Sequence, residues 1–488
     1  MSSVKEKYKY LGKNTLIFAI SSFSTKFLSF LLVPLYTSVL STAEYGKIDL
    51  ITTTSTLLIY VLTINIADSV LRFTIGKVNE TEKVLGVGFK TLAIGSGICA
   101  CLLTLTYLIR VLDWNARDYF YIWLLFFFTA LYQIMTNYLR GIDKIREVAL
   151  AGIISAGAII ISNILFLLVF KIGIDGYLIS MIIGPALASV FCFICVRNRL
   201  RVIKITYLSG DGLIKAEMFA YCIPLIFNNI ALWVNGSLDK YFVTGLCGIS
   251  ENGIYSVASK IPHILDACII VFSQAWNLSA IKEFDPEDKD GFFSKTFNAY
   301  GFLMAVACSA IVLMNLPLAK FLYNKEFFVA WHYSSILLIA TMFNTLTAFI
   351  GSVFSAVKKT KIIAITTVTS AVINTLLNTY LIPLFGAYGA AIATVIAYIT
   401  MYMIRLIVLR NVIKLRSNWL RNITSYALLF LQVFFEHLDG HFYMGQIICF
   451  CLICIINYRM VRTMVGILKT NFQGQGVRTD ESCDLHKK

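Results

Sequence analysis

Long apolar runs separated by short connectors dominate this chain, and its basic residues sit mainly on every second connector and at the two ends. A helix needs roughly 20 apolar residues to cross a bilayer, and these runs reach or exceed that length. Lys and Arg collect on the cytoplasmic side of membrane proteins, so the alternation sets orientation as well as count. Fourteen segments are read, at about 14–38, 48–71, 84–110, 119–139, 148–170, 176–196, 218–244, 252–279, 297–322, 330–356, 362–384, 387–409, 418–435 and 444–468. The expected fold class is an all-α polytopic membrane protein with both termini cytoplasmic.

Composition agrees: the chain is 58% hydrophobic and 14% charged, against about 25% charged in soluble domains. The net charge of +15 is spread over short loops, which favours an anionic membrane leaflet as partner and argues against nucleic acid. Lys5, Lys7, Lys9 and Lys13 precede an apolar run too long for a signal-peptide core, so an uncleaved first helix is expected. Cys192/Cys195 and Cys451/Cys454 have CxxC spacing but lie in apolar helix with no nearby histidine, and read as packing residues.

Two internal echoes carry more information than any single span. Leu40-Ser-Thr-Ala-Glu44-Tyr-Gly46 follows the first span, and Gly248-Ile-Ser-Glu-Asn-Gly253 follows the seventh, with Glu44/Glu251 and Gly46/Gly253 at one interval. Gly173-Ile-Asp-Gly176 and Gly386-Ala-Tyr-Gly389 repeat at nearly the same interval. A six-span unit repeated once keeps its orientation and gives two parallel lobes facing each other, the plan of alternating-access transporters. The expected division is 1–206 for an N-lobe of helices 1–6 and 207–412 for a C-lobe of helices 7–12. Helices 13 and 14 then fall in 413–468, and 469–488 forms a disordered cytoplasmic tail.

Charge inside the hydrocarbon zone is costly, so polar residues within spans face the bundle interior or water. Lys26 lies near the middle of the first span amid serines and threonines, which favours a wet cavity over a buried acid partner. In the second segment Asn65, Asp68 and Arg72 share one helix face, and Asp68 and Arg72 have the spacing of an i,i+4 pair. Gln133, Asn137 and Arg140 form a stripe on the fourth, where Arg140 also fits an inner-leaflet anchor. Asn228, Asn235 and Asp239 share a face of the seventh, followed by Lys240. Lys260, His263, Asp266, Gln274 and Asn277 occupy one side of the eighth. His263 with Asp266 three residues on suits a proton-coupled step. Pro34, Pro224, Pro262 and Pro317 are candidate kinks.

There is no phosphate-binding loop, no HExxH and no nucleophile elbow. No cofactor is expected, and any energy would come from an ion or substrate gradient.

The stretch Pro34-Leu-Tyr-Thr-Ser-Val-Leu-Ser-Thr-Ala-Glu-Tyr-Gly46-Lys-Ile-Asp49, with Ile66-Ala-Asp68-Ser-Val-Leu-Arg72-Phe, resembles the start of bacterial polysaccharide exporters. Those are the O-antigen and capsule repeat-unit flippases of the multidrug/oligosaccharidyl-lipid/polysaccharide exporter superfamily. Leu238-Asp239-Lys240-Tyr-Phe-Val and Gly253-Ile-Tyr255-Ser-Val-Ala-Ser-Lys260 look like the second-lobe counterpart. The resemblance implies translocation of an undecaprenyl-pyrophosphate-linked oligosaccharide between leaflets of the bacterial inner membrane, coupled to a proton or sodium gradient. It carries Asp68, Arg72, Asp239, Lys240 and Lys260 as substrate-binding candidates. Position within the spans adds Lys26, Asn137, Arg140 and Asn235, with His263 and Asp266 as ion-coupling candidates. A polysaccharide polymerase is a candidate partner, and the protein is expected to act as a monomer. Rival readings are a lipid II flippase, a cation-coupled drug exporter of the same superfamily, and a membrane polymerase or glycosyltransferase. The drug exporters typically have twelve spans, and the polymerase needs a large catalytic loop that is absent.

Overall fold

A computed structural model describes residues 30–76, 80–110, 114–200, 212–266, 272, 276, 279–280, 284–438 and 442–458. Sixteen helices organise them: α1 Val33–Val39, α2 Thr42–Leu62, α3 Ile66–Gly76, α4 Thr81–Leu108, α5 Ala116–Gly141, α6 Ile145–Ile164, α7 Gly173–Leu200 and α8 Gly212–Cys247. There follow α9 Ile249–Ala258, α10 Phe292–Leu313, α11 Asn315–Leu322, α12 Trp331–Ala356, α13 Thr360–Phe385, α14 Ala387–Leu409, α15 Trp419–His437 and α16 Tyr443–Ile456. No strand occurs among the described residues. Among them, nine helices are long and apolar enough to cross a membrane, and the bent pair α2/α3 makes a tenth. The expected first, eighth and fourteenth spans are described only in part, and Lys26, Gln274 and Asn277 lie outside the described residues.

The prolines expected to bend spans mostly interrupt them. A proline lacks an N–H and clashes with the carbonyl four residues back. Accordingly Pro34 stands in the first turn of α1, Pro317 near the start of α11, and Pro262 just beyond the end of α9. Pro224 is the exception and stays inside the continuous α8.

In the first half α5 is the central helix, with α2, α3, α4 and α7 around it. In the second half α14 holds α12 and α13, and α10 carries α15 and α16 on its flank. The repeated Gly173/Gly176 and Gly386/Gly389 motifs build equivalent hairpins, α6–α7 and α13–α14. The turn glycines adopt φ +54° and +58°, a left-handed conformation that favours glycine. A Cβ on Gly176 would lie 2.8 Å from the Phe166 side chain, and one on Gly389 would lie 2.3 Å from the Leu381 carbonyl oxygen. Both hairpins are therefore tight because both second glycines lack a side chain.

Helix starts follow local chemistry. At α2 the Ser41 hydroxyl accepts from the Glu44 N–H at 3.2 Å, and the Glu44 carboxylate accepts from the Ser41 N–H at 2.8 Å. This reciprocal cap explains the Ser-Thr-Ala-Glu part of the first echo. At α10 the buried Asp288 accepts from the N–H groups of Phe293 and Ser294, each at 2.9 Å.

Candidate functional site

The two halves meet along α2, α3, α8 and α9. On the outer side, as the basic loops orient the chain, the two halves of the first echo lie against each other. A Cβ on Gly46 would fall 2.0 Å from the Ile249 carbonyl oxygen, and one on Gly253 only 1.9 Å from that of Thr42. Nothing larger than glycine fits either place. The buried Asn252 amide donates to the Gly46 carbonyl at 3.2 Å and fastens the crossing.

Deeper along the seam, polar bonds join α8 to α2. Lys240 Nζ lies 2.8 Å from Asp49 Oδ1, with side-chain exposures of 16% and 11%. The hydroxyls of Thr54 and Tyr241 are 2.6 Å apart, and the Trp233 indole donates to the Thr53 carbonyl at 3.2 Å. Lys240 thus bridges the two halves. Its partner Asp49 stands in the quoted Gly46-Lys-Ile-Asp49 motif, but patterning along one chain does not reveal it.

The rings of Tyr36, Tyr45 and Tyr177 form a buried cluster, with Tyr36–Tyr177 centroids 4.7 Å apart. Lys260 follows the end of α9, half buried and within electrostatic reach of Tyr177. It has no ion pair among the described residues. The connector between α11 and α12 closes over the outer end of α1. Asn324 donates to the Pro34 carbonyl at 3.2 Å, Lys325 to the Ser38 carbonyl at 2.7 Å, and Thr37 to the Leu322 carbonyl at 2.8 Å.

The inner part of the seam is built by α3. Between α2 and α3 the chain bends by 52°. Ile64 and Asn65 make the elbow with φ +54° and +52°. Asn tolerates that region, whereas for β-branched Ile it is an outlier. Beyond the elbow the Ser69 hydroxyl donates to the Met218 carbonyl at 3.3 Å and Phe73 meets Tyr221 edge-on at 6.2 Å. The Asn65 amide donates to Asp68 at 2.6 Å, and the Asn137 amide donates to the Ala67 carbonyl at 3.0 Å. Asp68, Arg72 and Arg140 are exposed, and Asp68 acts electrostatically on Arg140. The structure thus gathers Asn65, Asp68, Asn137 and Arg140 on one flank of the elbow.

Asn235 and Asp239 are buried inside the second half. The Asn235 amide donates to the Thr367 carbonyl at 3.1 Å and its oxygen accepts from Ser370 at 2.9 Å. Asp239 accepts from the Tyr255 hydroxyl at 2.6 Å. These bonds join α8 to α13 and α9. His263 and Asp266 are 3.0 Å apart, with His263 54% exposed.

Two further buried charges escaped patterning, although each is a charged residue in or beside an apolar run. Arg405 in α14 donates to Thr366 and Thr367 hydroxyls at 2.9 and 3.0 Å and to the Thr347 carbonyl at 3.0 Å, tying α12, α13 and α14. Glu436 in α15 accepts from the Asn315 amide at 2.8 Å.

Helices packed across a polar seam, nine of them among the described residues long and apolar enough to cross a bilayer, define a multi-pass membrane protein. The chain belongs to the polysaccharide biosynthesis protein family, whose model matches residues 11–277. It is similar to an uncharacterised membrane protein of Methanocaldococcus jannaschii, 22% identical over 282 residues, or 54% of this chain. The match spans 65% of that relative's length. Among solved structures, the lipid II flippase MurJ in an inward closed conformation matches with TM-score 0.63 and 16% identity, covering 92% of this chain and all of that one. An inward-facing MATE family multidrug resistance transporter of the MOP superfamily matches with TM-score 0.63 and 13% identity, covering 81% and 98%.

Proposed function

We propose that this protein is a flippase carrying undecaprenyl-pyrophosphate-linked oligosaccharide repeat units from the inner to the outer leaflet of a bacterial cytoplasmic membrane. Lys260 is the observation that carries the reading: a half-buried cation at the seam, without a carboxylate partner among the described residues. Lys240 is neutralised by Asp49, so Lys260 is the lysine available for a pyrophosphate, to which it can offer charge-assisted hydrogen bonds. Lys26, Arg72 and Arg140 are further candidate contacts for the same anion. The lipid tail stays in the bilayer while the head passes between the lobes 1–206 and 207–412. Coupling to a proton or sodium gradient through the His263–Asp266 pair belongs to the same proposal, as does action as a monomer that hands its product to a polymerase.

The test is export of surface glycan from a strain whose own copy is replaced by variants. Lys260→Ala should lower export at least tenfold, with lipid-linked repeat units accumulating on the inner leaflet, while Lys260→Arg retains most of it. Unpolymerised units already outside would overturn the reading in favour of a polymerase. Accumulated peptidoglycan precursor would overturn it in favour of a lipid II flippase.

A further inference from the structure

A second basic feature lies away from the seam's outer half, where α4 approaches the inner end of α8 beneath the α2/α3 elbow. A cavity of about 120 Å³ opens there, and its lining includes Lys90, Lys215, Ile64, Ile94, Ile98 and Phe219. Both lysines are exposed and neither has an ion pair among the described residues. Lys215 Nζ stands 5.7 Å from the centre of the Phe219 ring. Among the described residues no carboxylate contributes to the lining.

Depth decides what such a cavity takes. Lys215 is three residues from the start of α8, and that helix, 36 residues long, exceeds the hydrocarbon thickness of about 30 Å at 1.5 Å per residue. Its first turn therefore stands at the level of the inner headgroups. Lys90 lies nine residues into α4, roughly 13 Å along its axis, and its stem can carry the ammonium back toward that level. Ile94 and Ile98 continue the same face of α4 into the membrane at the i+4 and i+8 positions, and they are 53% and 46% exposed. Two cations at headgroup depth above an exposed apolar stripe match an amphiphile with an anionic head and a hydrocarbon tail. A soluble anion would gain nothing from the isoleucines.

We propose that this cavity binds an anionic phospholipid of the inner leaflet, its phosphate between Lys90 and Lys215 and one acyl chain along Ile94 and Ile98. Basic pockets between transmembrane helices on the cytoplasmic side are recognised sites for such heads. Lys90 belongs to the first half of the chain and Lys215 to the second, so the lipid ties the two halves together where α4 meets α8. The site is separate from Lys260, which does not line the cavity.

The experiment uses the full-length protein purified in mild detergent, with retained lipid counted by native mass spectrometry after equilibration with phosphatidylglycerol or phosphatidylcholine. The wild type should retain phosphatidylglycerol at least tenfold better than phosphatidylcholine. Lys90→Gln/Lys215→Gln should abolish that preference, and Lys90→Arg/Lys215→Arg should restore it, which excludes misfolding as the cause. Equal retention of phosphatidylglycerol by the wild type and the Gln pair overturns the proposal. So does competition by glycerol phosphate at the concentration that saturates with phosphatidylglycerol, because the site would then recognise a soluble anion.

Discussion

At Gly46 and Gly253 the two halves of the molecule meet backbone against backbone, and the missing side chains set how closely the outer ends can approach. A Cβ 1.9 Å from the Thr42 carbonyl oxygen cannot be absorbed by a rotamer change, because the obstacle is backbone. Gly253→Val should hold α9 away from α2 without disturbing either bundle's own packing. Asn252 is fully buried at this crossing and makes a sensitive reporter. In a background lacking other cysteines, Asn252→Cys should react slowly with a membrane-impermeant maleimide applied from outside. Adding Gly253→Val should accelerate labelling at least tenfold, and an unchanged rate would show that the crossing is not the outer barrier.

At the scale of the element, caps and buried polar bonds decide which helices are fixed. Asp288 closes the N-terminus of α10 with both carboxylate oxygens on backbone N–H groups. Asp288→Ala should cost about 0.5–2 kcal/mol, read as a lower melting temperature of the purified protein. The appended α15 is bound more firmly. The fully buried Gln432 amide donates to the Ser309 carbonyl at 2.9 Å, and its oxygen accepts from the Ser309 hydroxyl. Gln432→Leu takes from the buried Ser309 hydroxyl its acceptor in an apolar site and should cost about 1–3 kcal/mol by the same measurement. Much at this scale was legible in the sequence. Apolar length located most of the helices, although the second and ninth segments each proved to be two, and the repeated glycines marked two equivalent hairpins. Partners were not legible. Helical periodicity places Lys240 on a face but cannot say that Asp49 stands opposite, nor that Asp239 turns inward to Tyr255. The same limit hid Gln432 and Glu436, whose meaning depends on α10 and α11 lying beside α15. The elbow at Ile64 was illegible for a different reason, since a β-branched residue gives no local signal for a left-handed turn.

Across the whole molecule, one continuous helix, α8, runs beside both members of the bent pair. Its outer half is joined to α2 through Asp49–Lys240 and Thr54–Tyr241, and its inner half to α3 through Met218 and Tyr221. The proposed flippase cycle, exposing one site to two sides in turn, requires one set of these contacts to part while the other holds. The Asp49–Lys240 pair suits that use. It is largely desolvated, and Asp49 Oδ2 is buried without a hydrogen bond, so the bridge is not fully compensated. Burial of two charges offsets much of their attraction, which leaves little net energy to overcome when the pair parts. Removing one partner is different, because the other charge is left behind in the closed seam. Asp49→Asn and Lys240→Gln should therefore each destabilise the purified protein by on the order of 1–3 kcal/mol, short of the cost at a wholly buried pair. The double variant should lose less than the two singles combined, since it leaves no uncompensated charge. Additive losses in thermal unfolding would mean that the two residues act separately, and that the seam is held by its glycine crossing and tyrosine cluster instead.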